Sequence, residues 1–542
     1  MSSVVQRAFV DVGGRQVHLR HAGEGPPVVL LHQSPASSAE LEPLIRHLAP
    51  HFTVLAPDTP GFGHSDPLAP SDAEPGIDAF VDALLALFDV LGLQQPALFG
   101  SHTGAIVATR FAVRHPHRVR ALVPNGVLLN TAADRADLLA NYFPRFVPDW
   151  AGTHLAWLWS RLRDQLVYYP WYRRAAEVRI EWPMTLQEIE AAAADLLNAG
   201  DNYRGAYRAV LDYDIAPDLA ALRVPTALLV AQTDALSMYV PQYPPPSEWL
   251  SHGTPADTPA LYDAVSQFLQ RHAGEPVKLS WPAGRLAGLS SRMVMAAGGQ
   301  WHVRGQAAGA GRPLLVLHDL GSSARALDGL LGGLAGTRPL WAPDLPGHGL
   351  SDDFEGHTPE AVATQLLALL EALGVNGFDL LAEGASAAIA LALAARGPGT
   401  RVRLMNPRAL ARDALPTLPA HLPPDLRADN AGSHLFRAWG WLKDRGLYSP
   451  WCERTAACAL RGLSPPRPAQ LQRGLIDLLR ARPVFAAQFE AALSAATWDV
   501  IAASGATVLA LAGHPAHAAL AGVQTLPPEA SGQSGVLRGQ FG

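Results

Sequence analysis

The chain repeats itself at a nearly constant offset, and that feature restricts its fold more than any local pattern does. Leu317-His318-Asp319-Leu320-Gly321-Ser322-Ser323 matches a first-half loop that contains His32, and Ala342-Pro343-Asp344-Leu345-Pro346-Gly347-His348-Gly349 matches the loop beginning at Ala56, both displaced by 286 residues. Further on, Arg396-Gly397-Pro398 matches Arg114-His115-Pro116 at 282, and Gly432-Ser433-His434-Leu435 matches Gly152-Thr153-His154-Leu155 at 280. So long an offset means two copies of one architecture joined head to tail. Length alone would suggest three or four domains of about 150 residues. The repeat predicts two larger units.

Within the first copy, strand and helix signals alternate. Residues 28–31 and 53–56 are short apolar runs that end in loops, while Phe80, Leu84, Leu87 and Leu91 recur at helical spacing. This alternation predicts an α/β fold, each unit a mostly parallel sheet with helices on both faces. A further strand, Ala97-Leu98-Phe99, runs into Gly100-Ser101-His102-Thr103-Gly104 and then a helix. That is the frame of a nucleophile elbow, G-x-Nuc-x-G, a strained turn that needs small neighbours and leaves the next backbone N–H free to face an oxyanion. The central residue is His102, in a turn built to present serine, cysteine or aspartate.

The motifs His32-Gln33-Ser34-Pro35, Asp58-Thr59-Pro60-Gly61-Phe62-Gly63 and Gly100-Ser101-His102-Thr103-Gly104 resemble the α/β-hydrolase superfamily, and within it a little-characterised bacterial subgroup with G-x-H-T-G at the elbow. The resemblance covers nearly the whole chain as two tandem α/β-hydrolase-type units, each with an inserted helical cap. It implies an acid after a late strand and then a histidine near the final helix. The strand at 226–230 leads to Asp234, and His252 precedes a helix at 261–269, so His102, Asp234 and His252 form the expected catalytic set. The backbone N–H groups of Gln33 or Ser34 and of Thr103 are the expected oxyanion donors.

Imidazole at the elbow cannot simply repeat serine chemistry, because an acyl-imidazole is far more labile than an acyl ester. Three readings follow: His102 acts as nucleophile or general base, Ser101 replaces it as nucleophile although the elbow points its neighbours away, or the unit only binds a ligand. The first reading makes the unit a hydrolase of a small or medium carbonyl compound, an ester, a thioester or a carbon–carbon bond. A lyase or decarboxylase with His102 as base, and a ligand-binding receptor, are the alternatives. No cofactor and no metal are expected.

In the second copy the elbow falls on Ala382-Glu383-Gly384-Ala385-Ser386, with Gly384 opposite His102. Glycine offers no nucleophile, acid or base. The acid position falls on Pro515, and no histidine follows His517. Ser386, as a displaced nucleophile, would have neither acid nor histidine to work with. The second unit is expected to be catalytically degenerate and to contact the first, stabilising or regulating it.

The expected boundaries are 1–272, with a cap over about 126–220, and 285–542, with a cap over about 407–500. Pro282-Ala283-Gly284 punctuates the linker before Arg285, and a glycine- and serine-rich tail from Pro527 to Gly542 replaces the segment that carries His252. Trp150, Trp157, Trp159, Tyr168, Tyr169, Trp171 and Tyr172 crowd the first cap. Most read as cap core, with two or three left to face an apolar or aromatic small-molecule substrate. A hydrophobic fraction of 49% against 17% charged residues suffices for two cores. A net charge of −6 without a basic stripe argues against a nucleic-acid partner. Without an apolar run of membrane-spanning length or a signal-like start, no membrane association is expected, and a cytoplasmic location is. Cys452 and Cys458 read as buried free thiols.

Overall fold

The computed structural model describes residues 4–526 other than 69–73, 183, 280, 282–287, 398–399, 462–463 and 512–513. The linker motif Pro282-Ala283-Gly284, Arg285 and the tail from Pro527 to Gly542 lie outside the described residues. The chain divides into two units, Met1–Val147 with Thr153–Arg285, and Pro148–Gly152 with Leu286–Gly542.

The first unit carries eight strands: β1 (Gln6–Val12), β2 (Arg15–Ala22), β3 (Pro27–Leu31), β4 (Thr53–Pro57), β5 (Ala97–Ser101), β6 (Leu122–Asn125), β7 (Thr226–Leu229) and β8 (Leu250–Gly253). Their spatial order is β1-β2-β4-β3-β5-β6-β7-β8. The pairs β1–β2 and β2–β4 are antiparallel and the remaining pairs are parallel. The second unit has β9 (Ser290–Ala296), β10 (Gly299–Gln306), β11 (Leu314–Leu317), β12 (Leu340–Pro343), β13 (Asp379–Glu383), β14 (Val402–Met405), β15 (Thr507–Leu511) and β16 (Gln524–Leu526). Its order is β9-β10-β12-β11-β13-β14-β15-β16, strand for strand the order of the first. Two sheets with one topology are what the sequence offset requires, and the chain is a tandem duplication.

Strand periodicity explains why each sheet is covered on both faces. In β3, Val28 and Leu30 enter one apolar core while Val29 and Leu31 enter the other, as a period of two demands. The helices Ile77–Leu91 and Thr103–Arg114 close the Val29 face, and Glu42–Leu48 and Thr258–Arg271 close the Val28 face. Each fully buried leucine or valine on these faces contributes about 1.5–3 kcal/mol relative to exposure. The β1–β2 hairpin has no counterpart in the sequence reading. Its two-residue turn is Gly13-Gly14, at φ 57° and 85°, a conformation that suits glycine and matches the strand twist.

The loop after β4 persists in both units because it is a folding device. His18 Nδ1 lies 2.8 Å from Asp58, whose other oxygen accepts the Ser38 N–H at 2.8 Å. In the second unit His302 lies 2.7 Å from Asp344, which accepts the Ala324 N–H at 2.7 Å. His32 Nε2 accepts the Thr59 N–H at 2.9 Å, and His318 Nε2 the Leu345 N–H at 2.9 Å. A Cβ on Gly63 or Gly349 would come within 2.0 Å of the Asp58 or Asp344 carboxylate, which fixes both glycines.

Between β6 and β7 the first unit inserts the helices Ala132–Asn141, Thr153–Gln165, Leu186–Ala199 and Tyr203–Leu211. The second unit's insertion holds Ser433–Leu447 and one long helix, Pro468–Ala495. Cys452 and Cys458 lie in the irregular stretch between those two helices, and both are free and half-buried, not buried as expected. Among the described residues no helix is long and apolar enough to cross a membrane.

Candidate active site

His102 sits between β5 and the helix Thr103–Arg114 at φ 48°, ψ −106°, a backbone conformation that L residues rarely adopt. The turn is held by hydrogen bonds, with the His102 N–H donating to Asn125 O at 2.9 Å and its carbonyl accepting from Ala105 and Ile106. Its small neighbours are obligatory: a Cβ on Gly100 would come 2.3 Å from Gly104 O, and one on Gly104 would come 2.4 Å from Leu31 O. The elbow read from the sequence is therefore present, with imidazole at its centre.

The imidazole is bonded to the expected acid. His102 Nε2 lies 2.8 Å from Asp234 Oδ2, and Asp234 Oδ1 accepts the Leu236 N–H at 2.8 Å. Burial opposes ionisation of both groups, but each stabilises the other's charge. The Asp234 carboxyl is held below its ordinary range, and His102, aided by the charge of Glu40, is held above the usual histidine value. With Nε2 committed to the carboxylate, Nδ1 is the ring nitrogen left for chemistry, and among the described residues it accepts and donates no hydrogen bond. Gly126, at φ 66°, supplies the clearance: a Cβ there would meet His102 Cδ2 at 2.6 Å and Nε2 at 2.9 Å.

His252 is not brought to this pair. It lies within β8, opposite Leu228 of β7, with its ring 5.7 Å from Tyr243 and edge-on to it. Among the described residues it makes no hydrogen bond to His102 or Asp234. The cause is the length of β8, which runs to Gly253 and holds His252 in the sheet, whereas the resemblance implied a catalytic histidine near the final helix; a loop leads from β8 to that helix. That loop, Thr254-Pro255-Ala256-Asp257, contains none. Ser101 is also turned away, its hydroxyl accepting from Asn125 Nδ2 at 3.3 Å.

Two of the three expected oxyanion donors are occupied. The Gln33 N–H donates to Glu40 Oε1 at 2.7 Å, and the Ser34 N–H donates to Thr103 Oγ1 at 2.7 Å. The Thr103 N–H, at the first turn of its helix, has no acceptor among the described residues. Glu40 escaped the sequence reading because nothing in its local pattern marks it. It stands in the single turn Ser38–Leu41, and its second oxygen accepts from Gln33 Nε2 at 2.9 Å. Burial pushes its carboxyl up to about 7, against the pull of Gln33 and of His102.

His102, Glu40 and Thr103 line one cavity of about 910 Å3, walled by Tyr142, Tyr169, Trp182 and Tyr207 of the helical insertion. The Trp182 ring is 6.1 Å from the His102 ring. Of the aromatic residues singled out in the sequence, Tyr169 faces this space. Trp159 and Trp171 are insertion core, and Trp171 Nε1 donates to Tyr142 O at 3.1 Å. Among the described residues no three His, Cys, Asp or Glu side chains are arranged to hold a metal ion.

The second unit keeps the turn and fills the site. Gly384 has φ 62°, and a Cβ there would lie 2.3 Å from the carboxyl carbon of Asp319. Asp319 Oδ1 accepts the Ala385 N–H at 2.8 Å, and its Oδ2 is bonded by Arg445 at 2.5 Å and Arg408 at 3.2 Å. Ser386 is buried, its hydroxyl donating to Glu383 O at 2.7 Å. Asn406, at φ 46°, stands where the first unit has Gly126, and its side chain accepts the Leu511 N–H at 2.9 Å.

Residues 26–241 match the family model described as alpha/beta hydrolase fold. A 2-hydroxy-6-oxo-2,4-heptadienoate hydrolase of Pseudomonas putida is 35% identical over 123 residues, 22% of this chain and 44% of that protein. A 2-hydroxymuconate semialdehyde hydrolase of a Pseudomonas species is 35% identical over 120 residues, 22% of this chain and 42% of that protein. The chain thus spans less than half the length of these relatives. The enol-lactonase of Burkholderia xenovorans aligns over 48% of this chain and 99% of its own, with 18% identity and a TM-score of 0.37.

Proposed function

Because the chain belongs to the α/β-hydrolase superfamily, as two units in tandem, we propose that its first unit is an enzyme of hydrolase type in which the His102–Asp234 dyad activates water against a carbonyl carbon. The observation that carries this reading is the 2.8 Å contact between His102 Nε2 and Asp234 Oδ2. In a serine hydrolase the elbow residue is the nucleophile and the acid orients a separate histidine. Here the elbow residue is itself the base and the acid holds it directly. Donation of Nε2–H to Asp234 leaves the Nδ1 lone pair for the proton of water, and the carboxylate stabilises the imidazolium that forms. The water oxygen adds to the carbonyl, and the Thr103 N–H faces the oxyanion that develops. General-base assistance of this kind contributes about 10²–10⁴-fold.

The substrate class is a small or medium carbonyl compound with an apolar or aromatic portion, an ester, a thioester or a carbon–carbon bond beside a carbonyl. The aromatic walls of the cavity and the carbonyl compounds in the relatives' names support it. The second unit is catalytically degenerate in this reading, since Asp319 fills the place of the elbow side chain. One observation favours a lyase or decarboxylase as the alternative: the elbow centre has no hydroxyl or thiol to carry an acyl group.

The test is hydrolysis of a short-chain p-nitrophenyl ester panel by the wild type, His102→Ala, Asp234→Asn and Ser101→Ala, together with fluorophosphonate labelling. The expected result is a loss of about 100-fold or more in the first two variants, near-normal activity in Ser101→Ala, and no labelled serine. Activity that survives His102→Ala, or a labelled Ser101, overturns the reading.

A further inference from the structure

We propose that Glu40 is the general acid of this site, giving its proton to the leaving group while His102 takes one from water. The assignment rests on the proposed dyad and adds the partner the dyad needs. Glu40 and His102 line the same cavity, and each group's charge acts on the other. Both of its oxygens accept from Gln33, at 2.7 Å from the backbone and 2.9 Å from the side-chain amide, so the carboxyl plane is fixed. Among the described residues no arginine or lysine pairs with it. The cavity's arginine, Arg46, is held by Glu42 at 2.5 Å. The titratable groups that act on Glu40 are His102 and Asp195, and Tyr262 feels its charge in turn. Desolvated by burial, with no arginine or lysine bonded to it, the carboxyl keeps its proton well above the ordinary carboxylate range, as carboxylic acids acting as proton donors must.

The duplication supplies an internal control. At the offset of 286 the counterpart of Glu40 is Ala326, in the matching turn Ala324–Leu327. The unit with Gly384 in place of His102 has thus also lost this carboxyl, whereas His18 and Asp58, which hold the loop after β4, persist as His302 and Asp344. A carboxyl needed only for folding the turn would have persisted with them.

With an ester, water is the nucleophile and Glu40 the proton donor. Water gives a proton to His102 Nδ1 and its oxygen bonds to the carbonyl carbon. The bond from that carbon to the alkoxy oxygen breaks, and the departing oxygen takes the Glu40 proton. The proton on His102 then returns to the Glu40 carboxylate through solvent in the cavity, leaving acid and alcohol as products. The active form has His102 neutral and Glu40 protonated.

The experiment compares two esters of one acid, p-nitrophenyl and ethyl, with the wild type and Glu40→Gln. A nitrophenolate departs unaided and an ethoxide does not. Glu40→Gln is expected to lower kcat on the ethyl ester by about 100-fold or more beyond any loss on the p-nitrophenyl ester. The wild-type ethyl-ester profile is expected to fall on the alkaline side near pH 7, a limb absent from the p-nitrophenyl profile. An infrared difference spectrum, wild type against Glu40→Gln, is expected to show a protonated carboxyl that titrates over the same range. Equal losses on both esters, an undisturbed ethyl-ester rate, or no such carboxyl overturn the assignment and leave the dyad standing. A wild type inactive on both esters overturns the hydrolase reading itself and this role with it.

Discussion

Asp319 Oδ1 accepts the Ala385 N–H at 2.8 Å, so in the second unit a carboxylate occupies the amide whose counterpart in the first unit, that of Thr103, has no acceptor among the described residues. Arg408 and Arg445 hold the carboxylate there. Their counterparts are Leu128 and Gln165, both lining the first unit's cavity. The fold position that lines a cavity in one unit is an internal ion cluster in the other. The cluster is a compromise. Burial and Arg408 push Arg445 down to about 10, while the two guanidiniums together hold Asp319 below the ordinary carboxylate range.

Replacing Asp319 by Asn removes the carboxylate that bonds both the buried Arg445 and the half-buried Arg408, and leaves Glu383 as a carboxyl on which their charges act. Breaking one side of a buried pair costs about 3–5 kcal/mol, and the half-exposure of Arg408 puts the expected loss near the lower end. Urea unfolding of the second unit at pH 7 measures it. A depressed carboxyl stabilises the fold above its unfolded value of about 3.9 and loses that contribution as pH falls through its folded value. Wild-type stability should therefore decline on acidification below about pH 4, and Asp319→Asn should lack that part of the decline.

Gly126→Ala should disable the dyad without removing either member. The new Cβ would lie 2.6 Å from His102 Cδ2, and φ at this position is 66°. The backbone cost is about 1–2 kcal/mol, and a displaced imidazole is expected to lower turnover by about 100-fold. Kinetics together with the His102 ring NMR signals would show both effects. Unchanged activity would mean that the ring is not held where Gly126 gives way.

What the sequence disclosed followed from local rules that one residue at a time can satisfy. The elbow at Gly100 to Gly104 was readable because steric limits leave few residue types possible there, and Asp234 because it follows a short buried strand. The repeat was readable because loops built on Asp58 and Asp344 require the same glycines. His252 was misplaced because strand β8 ends one residue after it, and strand ends are set by pairing with β7, which the sequence does not display. The engagement of Gln33 by Glu40 and of Ser34 by Thr103 depends on which side chains meet across the turn. Tyr142, Trp182 and Tyr207 face the cavity for a similar reason, since helix spacing shows which residues share a face but not what that face meets.

Asp234→Asn should reverse the direction of the His102 shift. In the wild type the carboxylate outweighs burial and holds the imidazole above its ordinary value. Without that charge, burial dominates and the midpoint should fall below about 6.5. The raised imidazole contributes stability that is full below about pH 6.5 and is lost as pH rises through its folded value. NMR titration of His102 in both proteins reads the midpoint directly. A variant that titrates as the wild type does would remove Asp234 from the account of His102.

His252→Ala should leave the chemistry intact. The resemblance to the α/β-hydrolase superfamily assigned this residue to catalysis, but its ring packs edge-on against Tyr243 inside the sheet edge and makes no bond to the dyad. Burial holds its imidazole below the ordinary histidine value, so at neutral pH it is an uncharged packing group. Truncation removes that packing and is expected to cost about 1–2 kcal/mol, while kcat/KM on any substrate the wild type turns over stays within about threefold. Thermal unfolding and steady-state kinetics of the same preparation separate the two effects. A loss of 100-fold in rate with unchanged stability would restore His252 to the catalytic set and require β8 to end before it when substrate is bound.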